Sequence, residues 1–157
     1  MLAAGGCAHA PRPVTDGRAT VVRDIDGDTI VVRIGGREET TRLLGVDTPE
    51  TKKPNTPVEC YGHEASARTA ELLPTGTVVR RERDVEARDR YGRLLAYVYR
   101  ASDDLFVEAD LVTNGFATPL VIKPNGAHAA ELASLSAAAH RAGRGLWGTC
   151  GGNHVVR

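Results

Sequence analysis

Aromatic side chains are scarce in this chain: one tryptophan, four tyrosines and two phenylalanines among 157 residues. Val, Leu, Ile and Ala must therefore fill the core. Lysine is scarcer still, confined to Lys52, Lys53 and Lys123. No stretch approaches the run of about 20 apolar residues that a membrane-spanning helix requires. Net charge is missing as well, because 20 basic side chains balance 20 acidic ones. That counts against a protein that simply coats nucleic acid, which needs surplus positive charge. It does not count against an acidic site that takes up a divalent cation, since the ion cancels the carboxylates. The acidic motifs contain neither cysteine nor histidine, which disfavours zinc. No EF-hand loop is present either, so a purely calcium-binding surface module is a weak reading.

The length suits one domain. Residues 1–17 carry Pro11, Pro13, Gly5, Gly6 and Gly17 without periodicity and read as a disordered tether. Within them, Leu2-Ala3-Ala4-Gly5-Gly6-Cys7 resembles the end of a bacterial lipoprotein signal, with small residues just before a cysteine. Cys7 is then either a lipid anchor or a stray thiol in a tail. Residues 18–150 form the domain and 151–157 a C-terminal tail. Cys60 precedes one expected helix and Cys150 follows the last. A bridge between them would close a loop of about 90 residues and stabilise the fold by roughly 4–5 kcal/mol. It would also imply an oxidising compartment. The other reading is two unrelated buried thiols.

β-rich runs between turn signals predict strands over 20–25, 29–34, 39–46, 77–83 and 94–99, with Gly35-Gly36 as a hairpin turn. Helical spacing and stop signals predict helices over 61–73, 105–114 and 128–142, ending near Pro74, Gly115 and Gly143. Five strands with three helices give an α+β, mainly β chain, in a five-stranded barrel of the oligonucleotide-binding (OB-fold) type.

The residues that carry chemistry sit at strand ends, where a small barrel brings side chains together. Asp28 begins the second strand and Asp47 follows the third. Two carboxylates, the main-chain carbonyl of Thr48 and waters would suit calcium, which accepts irregular oxygen geometry. Glu50, three residues beyond Asp47 and held by Pro49, can orient or deprotonate a water. Arg42 and Arg93 supply guanidinium forks for a phosphate whose equatorial oxygens gather charge. Each residue alone is an ordinary turn or surface group; their conjunction points to a metal-dependent phosphodiesterase.

At this point the chain closely resembles the thermonuclease family, with its staphylococcal-nuclease-like fold. The matching blocks are Ile25-Asp26-Gly27-Asp28-Thr29, Arg42-Leu43-Leu44-Gly45-Val46-Asp47-Thr48-Pro49-Glu50-Thr51, Tyr61-Gly62-His63-Glu64-Ala65-Ser66, Asp89-Arg90-Tyr91-Gly92-Arg93-Leu94-Leu95-Ala96-Tyr97-Val98 and Lys123-Pro124-Asn125. They occur in the family's order over about residues 20–148. The resemblance implies a calcium-dependent endonuclease acting on DNA and RNA, preferably where strands are single or breathing. It would cut the bond to the 5′ oxygen and leave 3′-phosphates. Asp28, Asp47 and Thr48 would hold the calcium and Glu50 would be the general base. Arg42 and Arg93 would bind the reacting phosphate, and Arg90 and Tyr91 the nucleotide's terminal phosphate. The protein would be a secreted or cell-surface (extracytoplasmic, bacterial) monomer. Family tyrosines that pack on the nucleotide base are replaced here by Leu120 and Ile122, which implies weaker or differently tuned substrate binding. The competing class is a catalytically silent OB-fold module that only binds nucleic acid or protein. Such modules typically lose the carboxylates or arginines that this chain keeps.

Overall fold

The computed structural model describes residues 13–156; Cys7 and the signal-like segment lie outside them. Strands β1 (Val14–Asp26), β2 (Thr29–Ile34) and β3 (Arg37–Leu43) form an antiparallel meander. The β2–β3 turn places Gly35 and Gly36 at φ 54° and 82°, the left-handed backbone that a two-residue hairpin of this hand requires. A short β4 (Gly45–Asp47) follows, then helix α1 (Gly62–Leu72). Strand β5 (Val78–Arg83) pairs with β1, and β6 (Leu94–Arg100) pairs with β5. Strand β6 also pairs in parallel with β3, from Thr41↔Leu94 to Leu43↔Ala96. The pairings β1–β2, β2–β3, β3–β6, β6–β5 and β5–β1 thereby close a five-stranded ring.

The rest of the chain packs outside this ring. It comprises β7 (Leu105–Phe106), α2 (Val107–Thr113), β8 (Thr118–Leu120), α3 (Ala129–Arg141) and α4 (Leu146–Thr149). The sequence predicts three helices and the described residues contain four; the extra one is a single turn between Gly145 and Cys150. The third strand, expected to run unbroken to residue 46, stops at Leu43. Gly45 turns the chain at φ 80°, and β4 leaves the barrel to pair with β8. A side chain at Gly45 would come within 2.6 Å of Leu132 Cδ1 on α3, so the turn also permits close helix approach.

The aliphatic core is the one that the lack of aromatics demands. Val21, Ile30, Val32, Leu43, Val79 and Val98 from the strands pack with Val107, Leu111 and Val112 of α2 and Leu132 of α3. Glu108 is buried completely within this region, with both carboxyl oxygens 3.1 Å from the Val98 amide. Burial pushes its carboxyl well above the ordinary range, despite the Val98 hydrogen bond that opposes it.

Residues 14–17, expected to belong to a tether, lie in β1. Val14 and Thr15 pair with Arg83 and Glu82 on β5. Arg81, itself buried, donates to the Asp16 carbonyl at 2.6 Å and to its carboxylate at 3.2 Å. Residues 14–17 thus belong to the barrel, because a buried guanidinium needs those acceptors. Cys60, just before α1, is disulfide-bonded to Cys150, just after α4. Among the described residues no helix is long and apolar enough to cross a membrane.

Candidate functional site

Strand pairing carries the motif residues to one rim of the barrel. Thr29 opposes Arg42 across β2–β3, and the Leu43 amide donates to the Asp28 carbonyl at 2.9 Å, extending that ladder by one residue. Arg42 also opposes Leu95 of β6, so Arg93, just before that strand, lies at the same end. Two register shifts in β1, after Val21 and after Asp24, bend the strand as it approaches.

At the centre is a buried guanidinium. Arg42 Nη1 donates to the carbonyls of Leu43 (2.6 Å) and Val46 (2.8 Å). Its Nη2 lies 3.0 Å from Asp28 Oδ2 and 3.2 Å from Asp47 Oδ1. One guanidinium nitrogen thus contacts both carboxylates. Asp28 also accepts from the Thr48 amide at 3.2 Å and from the Thr29 hydroxyl at 3.0 Å. Burial pushes the Asp47 carboxyl up, and the Asp28 carboxylate adds to this; Arg42 and His154 oppose it. Thr48 Oγ1 is buried without a hydrogen-bond partner. It lies so close over Gly27 that a Cβ there would meet it at 2.7 Å.

Glu50 borders the same cleft. Its Oε1 accepts from the amides of Thr51 (3.0 Å) and Lys52 (2.9 Å). Burial pushes the Glu50 carboxyl up, but the Lys52 amide, a hydrogen bond from Asp26 and the Thr51 amide hold it below the ordinary value. The converse holds for Asp26, pushed up to about 6 by burial and by its contact with Glu50. Of the two, Asp26 is the first to take up a proton as pH falls, so Glu50 is the one that stays ionised, the form a base needs. Asp26 belongs to the Ile25-Asp26-Gly27-Asp28-Thr29 block, and its place two residues from Asp28 is the sequence signal for this role.

Arg93 is held by Asp89, and its guanidinium lies 5.5 Å from the centroid of the Tyr91 ring. Its Nε donates to Asp89 Oδ2 at 2.7 Å, while its terminal nitrogens make no hydrogen bond to the described residues. The cleft has a volume of about 490 Å³, and Asp28, Arg42, Asp47, Glu50, Lys53 and Arg93 are among its lining residues. Arg93 also lines a second hollow of about 300 Å³, shared with Arg90, Tyr91, Leu95 and Ile122. There Arg90 donates to the Tyr91 hydroxyl at 2.6 Å and also lies over its ring. Ile122 lines this hollow, whereas Leu120 faces out from β8. A larger depression of about 580 Å³ around Arg18, Leu72 and Arg100 holds no convergent carboxylates.

The barrel rim thus presents paired carboxylates, an ionised glutamate and one half-free arginine around an open cleft. Oxygen donors of this kind suit a hard divalent ion that keeps several waters. Among the described residues no three acidic, histidine or cysteine side chains converge as a ready cage. Mutual repulsion of Asp28 and Asp47 and the unpartnered Thr48 hydroxyl nonetheless fit a cation at this point.

The C-terminal tail contributes two residues that sequence reasoning missed. His154 Nε2 lies 2.6 Å from Asp47 Oδ2, and its Nδ1 lies 2.9 Å from Glu59 Oε2. Burial lowers the imidazole pKa, but the two carboxylates outweigh it and hold the ring above its ordinary value. Asn153 Nδ2 donates to Asp47 Oδ2 at 3.2 Å.

An α+β barrel with an acidic and arginine-bearing rim defines the class. The staphylococcal nuclease homologue family model matches residues 40–149, and the chain belongs to that family. It is 42% identical over 127 residues to a thermonuclease of Staphylococcus hyicus, covering 81% of this chain and 73% of that protein. It is 50% identical over 105 residues to a thermonuclease of Staphylococcus intermedius, covering 67% and 61%. It is 44% identical over 121 residues to endonuclease YncB of Bacillus subtilis, covering 76% and 56%. The chain therefore spans only about three-fifths of the latter two relatives.

Proposed function

We propose that this protein is a calcium-dependent endonuclease that hydrolyses DNA and RNA at the 5′ oxygen. The observation that carries this reading is the single Arg42 nitrogen set between Asp28 and Asp47, with Glu50 and Arg93 on the walls of the same cleft. Asp28, Asp47 and the Thr48 carbonyl would hold the calcium, which when bound supplies positive charge against the phosphate's developing negative charge.

The chain's own groups account for the remaining steps. The ionised Glu50 takes a proton from a water as that water's oxygen bonds to phosphorus. Arg42 and Arg93 neutralise the non-bridging oxygens of the five-coordinate phosphate. The bond from phosphorus to the 5′ oxygen breaks, that oxygen takes a proton from solvent, and a 3′-phosphate remains. Arg90 and Tyr91, around the adjoining hollow, would hold the nucleotide's terminal phosphate. An open cleft of about 490 Å³ suits a single strand or a breathing region better than an intact duplex. A chain with this disulfide folds in an oxidising compartment, which supports a secreted or cell-surface protein.

Nicking of plasmid DNA with calcium, with chelator, and by Glu50→Gln tests the proposal. Chelator-sensitive nicking that falls roughly 10²–10⁴-fold in the variant is the expected result. Tight binding of DNA without nicking would instead identify a silent binding module.

A further inference from the structure

Residues after α4 return to the cleft between two fastenings. The first is the bridge of Cys150 to Cys60. The second is the Cys60 amide, which donates to the Val155 carbonyl at 2.7 Å. Between them Asn153 and His154 lie against Asp47, with His154 held at φ 57°, a left-handed conformation that a non-glycine residue keeps only when its surroundings impose it. Asn153 Nδ2 reaches the Asp47 carboxylate, the Asp47 carbonyl at 3.3 Å and the Thr118 hydroxyl at 3.0 Å. The His154 ring spans from Asp47 Oδ2 to Glu59 Oε2. That Glu59 oxygen in turn accepts the backbone amide of Glu50 at 2.8 Å. A single imidazole therefore links the end of β4 to the loop carrying Glu50. Asp47 Oδ2 is taken up by the tail, which leaves Oδ1 turned toward Arg42 and Asp28.

We propose that Asn153 and His154 are positioning residues: a C-terminal clasp, fastened by Cys60–Cys150, that orients Asp47 and the Glu50 loop for the divalent cation. The inference rests on the reading of Asp28 and Asp47 as cation ligands. Partners that orient a ligating side chain typically contribute 10- to 100-fold in metal affinity. A tail that merely fastened the chain end would change melting temperature and leave affinity alone.

The test is calcium binding by titration calorimetry on the full chain with its disulfide intact and no substrate present. The set is the parent, Asp28→Asn, Asn153→Ala, His154→Ala, and a chain ending after Gly152 that keeps the bridge. Asp28→Asn reports on the ligand reading itself; unchanged affinity there sinks that reading and the clasp with it. If Asp28→Asn loses binding, the clasp predicts a dissociation constant raised about 10-fold or more in His154→Ala and in the truncated chain. Equal or tighter calcium binding in both overturns the clasp and leaves the ligand reading standing.

Discussion

Removing the disulfide should lower the melting temperature by a margin that the chain path fixes. Cys60 and Cys150 are 90 residues apart, so the bridge closes most of the domain into one loop. Loop-closure entropy for that length gives about 4.6 kcal/mol of stabilisation at room temperature. For a chain of this size each kcal/mol moves the melting temperature by roughly 2–4 °C, which converts to a drop of about 9–18 °C. The perturbation is the double variant Cys60→Ala, Cys150→Ala, compared with the parent before and after a reductant. The assay is thermal unfolding by far-ultraviolet circular dichroism, with mass mapping of the parent to show the bridge. The reduced parent and the double variant should melt together, well below the oxidised parent. A drop under about 3 °C, with the bridge demonstrated, would refute the loop-entropy argument. Both thiols free in the purified parent would refute the pairing itself.

Three further outcomes follow from particular contacts. Arg93→Ala should lower turnover by roughly 10³–10⁵-fold in single-turnover assays with little change in melting temperature, because its terminal nitrogens hydrogen-bond no described residue and its ring contact with Tyr91 is exposed; cutting at the parent rate excludes its role. Gly27→Ala should weaken calcium binding, measured by calorimetry, since the added Cβ meets Thr48 at 2.7 Å beside Asp28; unchanged affinity would show that Thr48 can move freely. Glu108→Gln should raise the melting temperature at neutral pH and leave it unchanged near pH 4. The folded carboxyl titrates well above its unfolded value, so stability is whole below the unfolded pKa and is lost as pH rises toward the folded one. The amide removes that loss, and a gap between variant and parent that fails to close in acid would contradict the assignment.

The barrel and the rim residues were legible because their signals are local. Short, nearly unbroken apolar runs mark β2 and β6, and the Gly35-Gly36 turn sets the β2–β3 register that puts Arg42 opposite Thr29. Asp28 and Asp47 sit at strand ends, so knowing the strands nearly suffices to bring them together. The split of the third strand at Gly45 was not legible, since it depends on α3 packing Leu132 against that turn. Nor was the start of β1: Val14 to Gly17 look like linker, and only the need of buried Arg81 for the oxygens of Asp16 draws them into the sheet.

The tail marks where reading by motif stops. Asn153 and His154 stand in Gly151-Gly152-Asn153-His154, a composition that signals an unstructured end. Their partner Asp47 is more than 100 residues away, and no periodicity or spacing connects the two. What connects them is the covalent link of Cys150 to Cys60, which brings the tail to the mouth of the loop carrying Glu50. With Cys60 and Cys150 joined, the four residues after Cys150 start next to Glu59 and end with His154 between Glu59 and Asp47. A disulfide read from sequence as a source of stability and a sign of an oxidising compartment thus has a further physical consequence, because it helps place the side chains that stand behind a carboxylate of the cleft.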